Sequence, residues 1–499
     1  MNTKKLYQDY TQQLQKIADT RYAIAVLQWD QETHMPPKGA RFRAQQIATL
    51  SEISHELFTR DSFKNTLQDL MACTDLDDTQ QKNTALSWYD YTQQQKLSGD
   101  FVRQLSEATS RSFQSWVSAK KANSFSLFEA DLAGLLELKK KEADLLGYEQ
   151  HPYNALLNQF ERGCTVSLLD RVFATLQAPL KDLLNKITAC PQVDDSFLSR
   201  HFPKDAQWQF GIDLMKHLGF DFTAGRQDIA EHPFTTNFSS QDVRLTTRID
   251  ENDFSNMTWS CIHECGHGLY EQGLPEGGYG LPLGEFTSLS IHESQSRLWE
   301  NNVGRSLDSW RYFYPLAQQS FPEPLKDITL EQFYKGINKV QPSFIRTEAD
   351  ELTYHFHVLI RYELEKKLLE GSLQVKDIPA YWNEQYSKLL GVTVPDDRQG
   401  CLQDVHWSHG SFGYFPTYSL GSFYAAQFFA AAQHNIPNLD NAITNGNYKP
   451  LLEWLRISVH THGRRFTSEQ LCERISGQPL NIDYFIDYAH QKYKSIYAF

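Results

Sequence analysis

The sequence predicts a mainly α protein, a large all-helical fold with one small β element beside the helix that carries the chemistry. Three observations predict it. Apolar residues recur at three- and four-residue spacing through Leu6–Ile17, Phe101–Trp116, Phe125–Leu146, Leu168–Ile187 and Tyr354–Leu369, as one-sided helices require. The breaks between such segments are short: Pro36-Pro37, Cys73–Asp78, Cys190-Pro191, Phe202-Pro203 and Gly219. Long helices on short connections pack against one another. Alternation with a period of two residues, the mark of a strand, interrupts this pattern at a single segment.

Taken in order, the stretch from Met1 to Tyr22 has Lys4 and Lys5 but no apolar run behind them, so it reads as a helix and not as a leader peptide. The strand-like segment is DVRLTTRI, from Asp242. Val243, Leu245, Thr247 and Ile249 fall on one side and Arg244, Thr246 and Arg248 on the other. The preceding PFTTNFSS supplies a partner strand through a turn at Ser239–Gln241. A helix follows, capped by Asp253 or Ser255, with Phe254, Met257, Trp259, Cys261 and Ile262 as apolar surface. Glycines and prolines make loops of Gln272–Gly284 and Gly391–Tyr418, and between them Glu285–Asn301 has helical character. The second loop concentrates His, Trp, Tyr and Asp, as functional loops do.

Without a long Pro/Gly/Ser-rich or single-sign stretch to serve as a linker, all 499 residues are expected to form one catalytic domain, in two lobes around a groove. A net charge of −13 repels phosphate backbones, which argues against nucleic acid as a partner. No apolar stretch is long enough to span a membrane. The 7 cysteines are scattered and odd in number, so free thiols in a reducing, cytoplasmic setting are expected. Cys261 and Cys265 are read as small buried residues on the back of their helix.

Residues 263–267 read HECGH. On a helix, positions i and i+4 share a face, so His263 and His267 can bind one ion together. Glu264 sits about 100° round, too far to ligate with them but placed to act as general base on a water whose pKa the ion lowers. The extended motif with a third histidine is excluded, because Tyr270 and Gly273 stand where it needs Gly and His. A carboxylate must complete the set. Glu293, in SIHESQSR, leads; Glu271, Glu276, Glu285 and Glu300 compete, and an ion pair with Arg297 at i+4 is the plain alternative for Glu293.

Several ordered motifs resemble the M32 family of metallocarboxypeptidases, the carboxypeptidase Taq type. They are WDQETHMP from Trp29, HPF from His232, DVRLT from Asp242, HECGH, HESQ from His292, IRTEAD from Ile345 and GCLQDVHW from Gly400. The resemblance implies an all-α zincin-like fold with a deep groove and one divalent metal ion per chain, zinc first and cobalt second. It also implies a homodimer that removes single residues from the C-termini of peptides with broad specificity. It carries metal binding to His263, His267 and Glu293 and general acid/base action to Glu264.

A carboxypeptidase must also hold a terminal carboxylate, which a guanidinium does through two hydrogen bonds. Arg346 leads for that role over Arg244 and Arg398. His406, His409, Tyr414 and Tyr418 are candidates to bind substrate or to stabilise the oxyanion, Tyr418 foremost, and Asp404 and Asp242 to orient an arginine. A helical oligopeptidase or dipeptidyl carboxypeptidase would share the same metal set. A silent peptide-binding protein would have no use for Glu264.

Overall fold

Several helix ends follow the local chemistry of the sequence in the computed structural model, which describes residues 2–499. Ser98 caps the helix Gly99–Ala122 by accepting from the Phe101 amide, and Thr165 does the same for Val166–Thr188 from Leu168. Lys204–Leu218 stops at Gly219, whose φ of 101° is a left-handed conformation that suits glycine. The five helices expected from periodicity are present as Thr3–Thr33, Gly99–Ala122, Ser126–Leu146, Val166–Thr188 and Tyr354–Glu370. No helix among the described residues is long and apolar enough to cross a membrane.

A three-stranded sheet is the only β structure of more than a bridge among the described residues. Strands β1 (Gly225–Ile229), β2 (Thr235–Ser239) and β3 (Asp242–Thr247) lie in the order β1-β3-β2. The expected hairpin is β2–β3, antiparallel, with Thr236 opposite Arg244. Strand β1, parallel to β3, was not expected. Its sequence GRQDI is too polar to show alternation, and it pairs because β3 offers a free edge. Val243, Leu245 and Thr247 are fully buried on the inner face, as the alternation requires. Thr246 is buried as well, since its hydroxyl bonds the Phe234 carbonyl and amide, which contradicts its expected outward place.

The chain divides into two compact units, each gathered from three stretches. The first holds the chain up to Gln95, Asp194–Ile337 and Tyr424–Leu480; the second holds Lys96–Val193, Asn338–Phe423 and Asn481–Phe499. In the first, Phe202, Phe210, Phe254, Trp310, Phe321 and Phe333 stack into one buried aromatic cluster around the start of the helix Phe254–Glu271. In the second, the helix Tyr354–Glu370 is buried on every side and takes His355, His357, Arg361 and Glu365 into the interior.

Candidate active site

Asp253 caps the helix Phe254–Glu271 by accepting from Ser255, and the helix presents His263 and His267 on one face with ring centroids 4.9 Å apart. Cys261 and Cys265 point away, fully buried and free. A second helix, Leu289–Arg297, begins four residues later than the expected Glu285, because its cap is Ser288, which accepts from the Ile291 amide. The two helices come unusually close. A Cβ on Gly266 would stand 2.6 Å from the Ser296 Cα and 2.8 Å from the Gln295 carbonyl oxygen, so only glycine permits the approach. That approach carries Glu293 to the histidines. Its Oε2 lies 3.7 Å from His263 Nε2 and 3.5 Å from His267 Nε2, too far for a good hydrogen bond. One donor atom from each of the three falls within 4.8 Å of the others.

The other nitrogen of each ring is committed. His263 Nδ1 is 2.8 Å from Glu300 Oε2, and Glu300 is held ionised by Arg297 at 3.2 Å and Arg305 at 3.4 Å. His267 Nδ1 donates to His292, whose carbonyl oxygen lies at 3.1 Å and whose Nδ1 lies at 2.6 Å. His292 Nε2 in turn donates to Glu271 at 2.7 Å, and Asn237 donates to Glu271 as well. Both histidines therefore carry their proton on Nδ1 and turn the Nε2 lone pair inward.

Three lone pairs converge with no hydrogen between them. Two imidazoles and one carboxylate are a donor set that a divalent cation satisfies, so these residues fit a bound ion. The electrostatics draw positive charge, a proton or a cation, to this point. Burial pulls the pKa of His263 down, but Glu293 and Glu300 outweigh burial and raise it. Burial would raise that of Glu293, but Arg297 and the two histidines hold it well below the usual carboxylate range. His267 is pushed down to about 3, by burial first and then by His292, and stays neutral. The competing carboxylates have other occupations: Glu271 and Glu300 as above, Glu285 with Arg464 at 3.1 Å, and Glu276 in solvent. The ion pair weighed against ligation by Glu293 is also present, Arg297 Nε to Oε1 at 2.7 Å, and it leaves Oε2 to face the histidines.

Glu264 stands outside the trio. The Thr235 hydroxyl on β2 donates to its Oε2 at 2.6 Å, and burial raises its pKa above the ordinary carboxylate value. A buried carboxylate of raised pKa is a stronger base than one in water.

Arg244, in the same unit, is bound to Asp242 through Nε at 2.5 Å and Nη2 at 3.0 Å, and it lies over the Trp29 ring at 4.8 Å. The remaining candidates belong to the second unit. Asp404 is buried between Arg346 and Arg361. Arg361 spends every N–H there: on Asp404, Gln403, the His357 carbonyl and the Tyr386 hydroxyl. Arg346 uses Nε and Nη2 on Asp404 and Nη1 on the Tyr354 hydroxyl, which leaves one N–H on each Nη. Its guanidinium lies 4.9 Å from the centre of the Tyr418 ring. Tyr418 sits in the first turn of the helix Pro416–Asn435 and not in the preceding loop, because Pro416 fixes a helical start. Its hydroxyl is 3.2 Å from His406 Nε2, and burial pushes His406 down to about 4. Tyr414 packs edge-on against Phe160, His409 is exposed and stacked on Phe113, and Arg398 caps the helix Gly99–Ala122 through the Lys120 and Lys121 carbonyls.

Sequence reading passed over Thr235, His292 and Arg361, and gave Glu300, Glu271 and Arg297 other parts. HESQ held a signal for His292, a histidine adjoining the ligand candidate. Nothing in spacing marks Thr235 or Arg361.

The family model described as Carboxypeptidase Taq (M32) metallopeptidase matches residues 9–493. Carboxypeptidase 1 of Bacillus subtilis (strain 168) is 39% identical over 97% of both chains. Among solved structures, one designated CHT is 58% identical, with a TM-score of 0.97 over 98% of this chain and 99% of that one. The M32 carboxypeptidase from Deinococcus radiodurans R1 is 37% identical, with a TM-score of 0.98 over 99% and 100%. Similar along nearly its whole length in sequence and in fold, the chain belongs to the M32 family, the carboxypeptidase Taq metallopeptidases, and is a metal-dependent carboxypeptidase.

Proposed function

We propose that all 499 residues act as one catalytic domain that releases single amino acids from peptide C-termini, with His263, His267 and Glu293 as the ligands of one divalent ion and Glu264 as general acid/base. Zinc is the proposed ion and cobalt the second choice. The observation that carries the reading is the convergence of three lone pairs whose own rings and carboxylate are fixed from behind. When bound, the ion supplies Lewis acidity toward a water and the scissile carbonyl. Thr235 fixes the Glu264 carboxylate through Oε2, and Glu264 takes the proton of the attacking water and later returns it to the leaving amine.

For the terminal carboxylate we propose Arg346. The two N–H groups it keeps, one on each Nη, form the fork that a carboxylate accepts, whereas those of Arg361 are spent. Arg244, His409 and Tyr414 are proposed to line the substrate's path, and Tyr418 with neutral His406 to donate toward the oxyanion. A homodimer in the cytoplasm completes the proposal, on the family resemblance alone.

The test is a pair of peptides, identical but for C-terminal amidation, followed by mass spectrometry. The free acid loses single residues in order, and the amide is cleaved at least about 10-fold more slowly, since it lacks the charge a buried fork pairs with. Equal cleavage of both, or internal fragments, overturns the exopeptidase reading in favour of an oligopeptidase.

A further inference from the structure

Arg297 stands at the junction of two carboxylates that do different work. Its Nε holds Glu293 Oε1 at 2.7 Å, and its Nη1 holds Glu300 Oε2 at 3.2 Å. The Ser296 hydroxyl also donates to Glu293 Oε2, at 3.1 Å, so that oxygen keeps one lone pair to direct at the histidines. Immediately after Arg297 the helix widens into π-helical turns over Leu298–Gly304, a rare form concentrated at functional sites. Within those turns Glu300 reaches both Arg297 and His263 Nδ1. Arg305 lies behind, on Glu300 at 3.4 Å and over the Trp259 ring at 3.9 Å.

We infer that Arg297 is a positioning residue of the metal centre, which withholds one Glu293 oxygen and so restricts that carboxylate to ligation through Oε2 alone. An unrestrained carboxylate beside a small divalent ion can swing to bind through both oxygens, which raises the coordination number and takes a position that a catalytic site must keep open. A guanidinium on Oε1 prevents the swing, and its second arm ties the same restraint to the Glu300 that fixes His263. The fork geometry matters here. A lysine at this position carries the charge but cannot hold both carboxylates at these angles.

The inference rests on the ligand set proposed above, and the experiment separates the two. Cobalt(II) replaces the resident ion in the full-length protein and in its Arg297→Gln, Arg297→Lys and Glu293→Ala variants. Affinity is read by chelator competition and coordination number by the visible absorption of cobalt. Both Arg297 variants are expected to bind cobalt about 10- to 100-fold more weakly and to show the weaker absorption of a higher coordination number. Their kcat should fall more than their KM rises. Spectrum and affinity unchanged in Arg297→Lys overturn the inference, and that variant decides if Arg297→Gln does not fold. Full cobalt binding by Glu293→Ala overturns the ligand set itself.

Discussion

The donor set around Glu293 and the cluster around Asp404 use the same materials, buried carboxylates facing cationic side chains, and they are finished differently. Asp404 has both oxygens claimed by Arg346 and Arg361, and these two arginines hold its pKa well below the ordinary range against burial. Glu293 has one oxygen claimed by Arg297 and the other aimed at two histidine lone pairs. The first arrangement fills both oxygens of its carboxylate and keeps an excess of positive charge, with an N–H to spare on each Nη of Arg346. The second is incomplete without a cation, and its supporting residues keep it so. A buried carboxylate with both oxygens claimed holds its arginines in place, and one with an oxygen held open from behind is shaped to take a ligand.

Two neutral substitutions of similar shape break this comparison most directly. Asp404→Asn leaves two buried guanidiniums without their counter-charge and turns an amide NH2 toward donors. Denaturant unfolding should show a loss of about 3–5 kcal/mol. A loss below about 1 kcal/mol would show that the arginines are solvated and do not depend on Asp404 for their counter-charge.

Glu264→Gln is the matching change beside the donor set, and it should act the other way round. The amide keeps the shape and can keep the Thr235 hydroxyl as a donor to its oxygen, so metal content and unfolding midpoint stay unchanged. Turnover falls by at least about 100-fold, the scale of general-base catalysis. Near-normal turnover would pass the proton's role to another group.

How much of this was legible in the residues themselves depends on range. Helices and the β2–β3 hairpin are written locally, in spacing and turn residues, and stand where those signals place them. Helix ends shift by a few residues, to Leu289 from Glu285 and to Pro416 from beyond Tyr418. His263, Glu264 and His267 are legible because one helix fixes their geometry. Glu293 needed the approach of a second helix, and the reason for that approach, Gly266, lies inside the motif itself. Strand β1 and Arg361 were invisible for a common cause. Each is specified by a partner far along the chain, β3 for one and Asp404 for the other, and neither carries a local pattern. The Arg297–Glu293 pair shows a different failure: ion pair and ligation were weighed as rivals, although one carboxylate has two oxygens and can do both.

A third carboxylate sharpens the comparison, because Glu365 is buried with hydrogen-bond donors that are neutral. It accepts from Trp407 Nε1 at 2.8 Å, the Gly413 amide at 2.8 Å and the Tyr153 hydroxyl, with Lys139 as the cation felt at a distance. Burial pushes its pKa up to about 7, and the three hydrogen bonds only moderate the rise. A carboxyl whose folded value lies above the unfolded one, about 4.3, binds its proton more tightly in the native state. Its contribution to stability is then complete below about pH 4 and is lost as pH rises through about 7. Glu365→Gln has no such proton, so this part of the slope vanishes in the variant. The variant also loses a hydrogen bond at every pH, because an amide NH2 must face one of the donors, at about 1–3 kcal/mol. The deficit of the variant against the unmodified protein should therefore be larger at pH 6 than at pH 7, by about 1 kcal/mol, when urea midpoints are compared. That is the smallest effect predicted here and the most diagnostic in sign. A deficit equal at both values would mean that Glu365 is already ionised at pH 6, and that three neutral donors can hold a buried carboxylate as firmly as the two arginines hold Asp404.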